Sequence, residues 1–579
     1  MSRNRRGRAR GAVDAAPPAA MDMAPASDAG AVWRDLDRLR EAQIGQASGG
    51  LSPEGLALAW FDWALHLAAA PGKRAQLALH DWSCPADASG DPRFRGAGWR
   101  LPLFEAIATA FVRTESWWSE ATRGVPGTTP HHEAVAAFAA RQLLDMMSPS
   151  NLPWTNPEVL GRTLAQGGRN LWVGAMHWWE DAARAAGLAP QEEGPFVVGR
   201  DVAATPGQVV MRNELAELIQ YSPSTDQVEA EPVLVVPAWI MKFYILDLSA
   251  HDSLVRWLVS QGHTVFCLSW RNVDADDREL GMDDYRRLGV MAALDAVGRI
   301  VPGSRVHAVG YCLGGTLLAI AAAAMARAGD DRLRSMTLFA AQTDFSEPGE
   351  LALFIDPAQV HMLDSLMWQR GTLTAAQMSW AFQMLRSNDL VWSRVIREYL
   401  MGERPKPSDL MAWNADATRM PYRMHSEYLH RLFLDNDLAC GRYDVDSHPV
   451  SLHRLRLPIF VVGTESDHVA PWRSVFKLHD LTDAPLTFVL CNGGHNAGIV
   501  DEPGHPHRHF RIRTRAPGTP HLPADEWMAE TAIEEGSWWP AWQRWLVSHG
   551  TRKRARPPAM GGDALPVLGA APGTYVHGR

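Results

Sequence analysis

Cysteine is scarce in this chain. Its 579 residues include five (Cys84, Cys267, Cys312, Cys440 and Cys491), an odd number with no CxxC pair. That argues against a disulfide framework or a zinc site, and it fits a reducing cytosol. A membrane-spanning run is missing too, because three glycines split the apolar stretch 308–325 into strand, turn and buried helix. Excess positive charge is absent, and the net charge of -9 argues against chain-wide affinity for nucleic acid or anionic membrane. The arginine-rich first residues lack an apolar signal core, since Asp14, Pro17, Pro18 and Asp22 interrupt the stretch where one would lie. Residues 1–30 therefore read as a disordered basic arm, with a transit or twin-arginine signal the lesser alternative. There are no internal repeats.

At this length two or three domains are expected. Helical periodicity runs through 33–47, 53–77, 104–121, 132–147 and 156–186, broken by loops rich in Pro, Gly and Ser. Residues 31–195 thus predict a helical N-terminal domain. The texture then changes to short apolar runs at 233–236, 264–270, 306–309, 335–340, 459–462 and 487–490, several alternating with helical stretches. Buried strands alternating with helices predict an α/β domain over 196–579, its sheet mostly parallel and covered on both faces. A helical insertion at about 344–456 would lie as a cap over the carboxyl edge of that sheet. The tail from Thr551 reads as loose or wrapped on the surface.

Gly310-Tyr311-Cys312-Leu313-Gly314-Gly315 joins one of these strands to an Ala-rich helix. Strand, Gly-x-nucleophile-x-Gly turn and helix resemble the nucleophile elbow of the α/β-hydrolase fold. In that order of elements the acid and the histidine follow on loops after later strands. Asp467 comes after 459–462 and His495 after 487–490, so Cys312, Asp467 and His495 are the candidate triad. Asp344 is the rival acid, and Glu465 and His468 are neighbours that a solvated loop explains equally well. Cys267 and Cys491 read as small core residues. The His505, His507 and His509 run reads as a loop, and no metal or redox cofactor is expected. His495 would take the proton of Cys312. The backbone N–H of Leu313 would be one oxyanion donor, with a second from the loop near Ile240. A cysteine nucleophile suits acyl transfer from a thioester, because exchanging one thioester for another keeps the acyl group activated.

Many further stretches resemble one family, the class I polyhydroxyalkanoate synthases, in a divergent branch. They include 196–200, 213–214, 218–221, 242–248, 262–266, 269–272, 388–392 and 413–418. Asp467-His468, Pro471-Trp472, Gly494-His495 and Gly536-Ser537-Trp538-Trp539-Pro540 belong with them. The resemblance implies an acyltransferase that polymerises (R)-3-hydroxyacyl-CoA into polyester and releases CoA, with Cys312 carrying the growing chain. His495 would be the base, and Asp467 would assist the 3-hydroxyl. Arg386 and Trp413 match positions associated with substrate binding or dimer contact. The same resemblance implies a cytoplasmic homodimer associated with polyester granules. Pro237-Ala238-Trp239-Ile240 departs from the family pattern, and Trp239 is expected to narrow the acyl or product channel. Residues 420–443, with His425-Ser426-Glu427-Tyr428, depart as well.

Two other readings stand beside this one. A thioester or polyester hydrolase could use the same triad, and a granule-associated paralogue could lack catalysis. A polymerase must keep water from the acyl-cysteine, and Trp239, Trp392, Trp413 and Trp472 are candidates to line a dry pocket.

Overall fold

Short runs of Val, Ile, Leu and Phe that are buried on both faces have one stable arrangement, a sheet sandwiched between helices. The computed structural model, which describes residues 29–80, 82, 88–188, 194–378 and 391–578, contains an eleven-stranded sheet of this kind. Its strands are β1 (Gly207–Arg212), β2 (Ala216–Tyr221), β3 (Val233–Val236), β4 (Val265–Trp270), β5 (Val306–Tyr311) and β6 (Leu333–Phe339). They continue with β7 (Ile459–Thr464), β8 (Leu486–Cys491), β9 (His509–Arg515), β10 (Ile533–Glu535) and β11 (Gly569–Ala570). The spatial order is β10-β9-β8-β7-β6-β5-β3-β4-β2-β1-β11. From β8 across to β4 every neighbouring pair is parallel. The flanking pairs are antiparallel.

The six interior strands are those expected from their apolar runs, within two residues at each end. Parallel alignment puts the carboxyl ends of β5, β7 and β8 on one edge of the sheet. The segments that carry Cys312, Asp467 and His495 leave from that edge. Helix α2 (Leu313–Ala328) runs back under the sheet with Ala319, Ala321, Ala322 and Ala323 at most 1% exposed. Small side chains let it pack close to the strands.

The N-terminal region is helical, as expected, but two long helices are each divided. Residues 53–77 form Pro53–Ala69 and Pro71–Ala78, because Pro71 pushes Ala70 out of the helical region to ψ 84°. Residues 156–186 form Pro157–Ala165 and Arg169–Ala185, parted by Gly167 and Gly168 at φ 57° and 85°. Ser52, Thr129 and Asn156 cap helices whose first residue is proline.

The insertion between β6 and β7 covers the carboxyl edge of the sheet, as expected of a cap. Its main helix is α3 (Pro357–Arg370), followed in chain order by α4 (Tyr422–Glu427). The N-terminal helices pack on this cap. Helix α1 (Ala29–Ala47) lies along α3, where Gln46 donates to Gln369 at 2.8 Å. Asp181 accepts from Arg394, Tyr399 and Arg404.

The tail is wrapped rather than loose. β11 pairs with the sheet edge at β1, and the fully buried Glu217 accepts the backbone N–H groups of Thr574 and Tyr575. Five flanking strands are not evident from the sequence, and β9 shows why. Its Arg-rich alternation is that of a half-exposed strand, and it begins at His509, whose Gly/Pro-rich surroundings point to a loop. Among the described residues no helix is long and apolar enough to cross a membrane.

Candidate active site

β5 ends at Tyr311, and the chain reverses at once into α2. Cys312 makes the turn at φ 52° and ψ -124°, a strained conformation for a residue with a side chain. The close approach behind it depends on two glycines. A Cβ on Gly310 would lie 2.4 Å from the Cα of Gly315, and one on Gly314 would lie 2.2 Å from the carbonyl oxygen of Val236. The Cys312 N–H donates to the carbonyl of Phe339 at 2.9 Å, tying the turn to β6. Leu313 is the first residue of α2, so its N–H has no acceptor within the helix.

His495 Nδ1 lies 2.8 Å from Asp467 Oδ2. The other carboxylate oxygen accepts the N–H groups of Val469 and Ala470, both at 2.8 Å, and Thr464 Oγ1 lies 3.1 Å from Oδ2. The Asp467 side chain has no solvent exposure. Burial works against a charged imidazole at His495. The charges of Asp467 and Cys312 and their hydrogen bonds outweigh it and hold the group well above the ordinary histidine value. That favours the charged imidazole at His495. Tyr311 backs the ring at 5.5 Å between centroids and donates to Asn496 Oδ1 at 2.6 Å, fixing the residue next to His495.

Cys312 opens into a cavity of about 130 Å³. Ile240 and Leu313 line it beside the thiol, and the cap supplies Phe345, Phe354, Met420 and Phe433. Gly49, Gly50 and Leu51, from the loop after α1, complete its wall. That loop is clamped to α3, because Gln359 Oε1 accepts the N–H of Ser52 at 2.8 Å and Gln359 Nε2 donates to the carbonyl of Gly50 at 2.6 Å. No one-dimensional pattern signals that residues more than three hundred positions apart share this wall.

The remaining candidates fall elsewhere. Asp344 caps its own loop through Ser346 and accepts from Asn436. Glu465 lies 3.7 Å from His509. Trp239 does not narrow the cavity: it is 2% exposed and packed against Tyr285 and Trp270, at 4.8 and 5.9 Å between ring centroids. Trp392, Trp413 and Trp472 are also absent from the lining. Trp413 is buried and its indole donates to the carbonyl of Lys242 at 2.8 Å, two residues beyond Ile240. Arg386 falls outside the described residues, as does Cys84. Cys267 and Cys491 are buried core residues whose thiols burial pushes well above the usual range. Among the described residues no group of three His, Cys, Asp or Glu side chains is arranged to hold a metal.

The chain also matches known proteins. Residues 90–258 match the family described as poly-beta-hydroxybutyrate polymerase (PhaC) N-terminus. Residues 31–73 match the poly-beta-hydroxybutyrate polymerase N terminal family, and residues 231–502 the alpha/beta hydrolase fold. The poly(3-hydroxyalkanoate) polymerase of Methylorubrum extorquens is 42% identical over 492 residues, which is 84% of this chain and 80% of that protein. The polymerase subunit of Cupriavidus necator is 36% identical over 504 residues, 85% of each chain. Among solved structures, a monoacylglycerol lipase from Paleococcus ferrophilus aligns at 13% identity with a TM-score of 0.34, covering 58% of this chain and all of the lipase. On the two polymerase family matches and these identities, the chain belongs to the poly(3-hydroxyalkanoate) polymerase family, acyltransferases built on the α/β-hydrolase fold.

Proposed function

We propose that the protein polymerises (R)-3-hydroxyacyl-CoA into a polyester, releasing CoA at each addition. The observation that carries this reading is the position of Cys312. Cys312 lines a largely apolar cavity, and the His495–Asp467 pair stands beside it.

The chemistry follows from the groups present. His495 takes the Cys312 proton, and the thiolate attacks the thioester carbonyl. The oxyanion is held by the N–H of Leu313 and by the segment at Ile240. As the C–S bond to CoA breaks, the CoA sulfur leaves and takes up the proton from His495. The acyl-cysteine is a thioester of nearly equal free energy, still activated for attack by a hydroxyl. His495 then removes the proton of that hydroxyl, the ester bond forms, and Cys312 is freed as its C–S bond breaks. Asp467 orients the imidazole and stabilises its charged form. An apolar cavity walled by the cap and by residues 49–51 disfavours water as the competing nucleophile.

On this reading residues 196–579 are the catalytic domain, with 344–456 as its cap, and 31–195 the helical domain. Trp33, Trp60, Phe61, Trp154, Trp172, Trp178 and Trp179 of the helical domain are all more than 40% exposed. Such a surface supports contact with an apolar polyester granule or with a second subunit. A cytoplasmic homodimer working at the granule surface is the corresponding assembly.

The test is incubation of the purified protein with (R)-3-hydroxybutyryl-CoA, following free CoA and the fate of the acyl group together. Polymer formed with CoA release that Cys312→Ala abolishes is the expected result. CoA release with only free hydroxy acid would make the protein a hydrolase, and release unaffected by Cys312→Ala would remove the triad from the reaction.

A further inference from the structure

Two polar rings in the cavity at Cys312, those of His425 and Tyr428, make no hydrogen bond among the described residues, and His425 is the one that can both donate and accept without being an acid. His425 lies on α4 and lines the cavity, yet it is 4% exposed. Its ring makes no hydrogen bond among the described residues, and Nδ1 is sealed from solvent without a partner. Most other polar groups of the lining are engaged. Gln359 uses both ends of its amide on the loop after α1, and Gln377 Oε1 accepts from Thr374. Thr316 donates to the carbonyl of Gln342, whose amide nitrogen donates to Ser474.

A buried polar group without a partner is costly, and an apolar side chain would fill the same space without that cost. The ring is also firmly held. Backbone N–H groups of Tyr422, Arg423 and Met424 donate to the carbonyls of Gly371, Arg278 and Leu280, each at 3.0 Å. The aromatic ring of Tyr428 lies 5.9 Å from it. Burial pushes His425 down to about 4, so near neutral pH the imidazole is uncharged, with one nitrogen a donor and the other an acceptor. It cannot serve as a charged clamp for phosphate or carboxylate, but it can bond a neutral hydroxyl in either sense.

A 3-hydroxyacyl group brings two polar atoms into this cavity. The thioester carbonyl belongs to the segment at Leu313 and Ile240, which leaves the hydroxyl. We propose that His425 binds the hydroxyl of the incoming acyl group and is thereby a specificity-determining residue for 3-hydroxyacyl over unsubstituted acyl thioesters. This rests on the reading of Cys312 as an acyl carrier for CoA thioesters.

The experiment compares (R)-3-hydroxybutyryl-CoA with butyryl-CoA, which differs only in lacking the hydroxyl. Single-turnover CoA release is measured for the wild type, His425→Phe and His425→Gln. The wild type is expected to favour the hydroxylated substrate. His425→Phe is expected to lose roughly 10- to 100-fold on that substrate and little on butyryl-CoA, with part of the preference restored in His425→Gln. The butyryl-CoA reaction reports that the variants are folded. An equal loss on both substrates, or a preference that survives His425→Phe, would overturn the assignment while leaving the acyl-carrier reading intact. No release from either substrate by the wild type would overturn both.

Discussion

His495 Nδ1 faces Asp467 Oδ2 at 2.8 Å, and the carboxylate has no freedom to turn away. Its other oxygen is held by two backbone N–H groups from residues 469 and 470. The pair is therefore preorganised before any substrate arrives.

Asp467→Asn should lower CoA release by about 100- to 10,000-fold. Loss of the carboxylate charge also removes what holds His495 well above the usual histidine value. The His495 imidazole, followed by NMR, should therefore titrate at lower pH in the variant than in the wild type. An unchanged titration would separate Asp467 from the imidazole.

Gly314→Ala would place a Cβ 2.2 Å from the Val236 carbonyl oxygen and 2.5 Å from that of Pro237, both rigid backbone atoms. A loss of about 2 kcal/mol or more is expected, with activity falling as the elbow shifts. Gly298→Ala is the control, since nothing lies within 4 Å of its Cβ position. In that exposed helical site the change should be neutral or stabilising by up to about 1 kcal/mol. Urea unfolding of both variants checks the pair.

These residues also mark what is legible in the sequence. The elbow glycines, the apolar runs of the inner strands and the order Cys312, Asp467, His495 all follow from local patterns, because each strand and its loop are contiguous in the chain. The cavity wall is not contiguous. Gln359 on α3 meets Gly50 across more than three hundred residues, and neither position carries a periodicity that would announce it. Trp239 resembles a gate in the sequence because it adjoins Ile240, but its ring turns into the core beside Tyr285. His425 stands out there only as a departure from the family pattern. Its burial, and the absence of a partner for its ring among the described residues, need three dimensions.

Gln359→Leu removes the clamp that holds the loop after α1 over the cavity. Water should then reach the acyl-cysteine more readily, and the share of CoA release that ends as free hydroxy acid should rise several-fold. Product analysis by chromatography checks this. If the ratio of polymer to free acid is unchanged, that loop does not exclude water.

Acid should destabilise the protein partly through buried histidines. His479 is 4% exposed with both ring nitrogens unpartnered, and it stacks on His521 at 5.7 Å. Burial, followed by the charges of Arg515 and His521, lowers it from 6.5 to about 3. Above about pH 6.5 neither state binds the proton, so the group costs nothing. Between about pH 6.5 and 3 only the unfolded chain takes it up, and stability falls by about 1.4 kcal/mol per pH unit. His479→Phe should flatten the decline in urea stability between pH 6.5 and 4.5 relative to the wild type. Parallel curves would show that the ring is protonated equally in both states.

The claim beneath all of this is that Cys312 itself carries the acyl group. Butyryl-CoA tests it directly, because an acyl group without a 3-hydroxyl can load the thiol but offers no hydroxyl to extend. The protein should be mixed briefly with butyryl-CoA, quenched in acid and measured by intact-protein and peptide mass spectrometry. The account predicts one butyryl adduct per chain, on the peptide containing Cys312, labile to hydroxylamine and absent in Cys312→Ala. CoA release with no adduct, or an adduct on another residue, would contradict it.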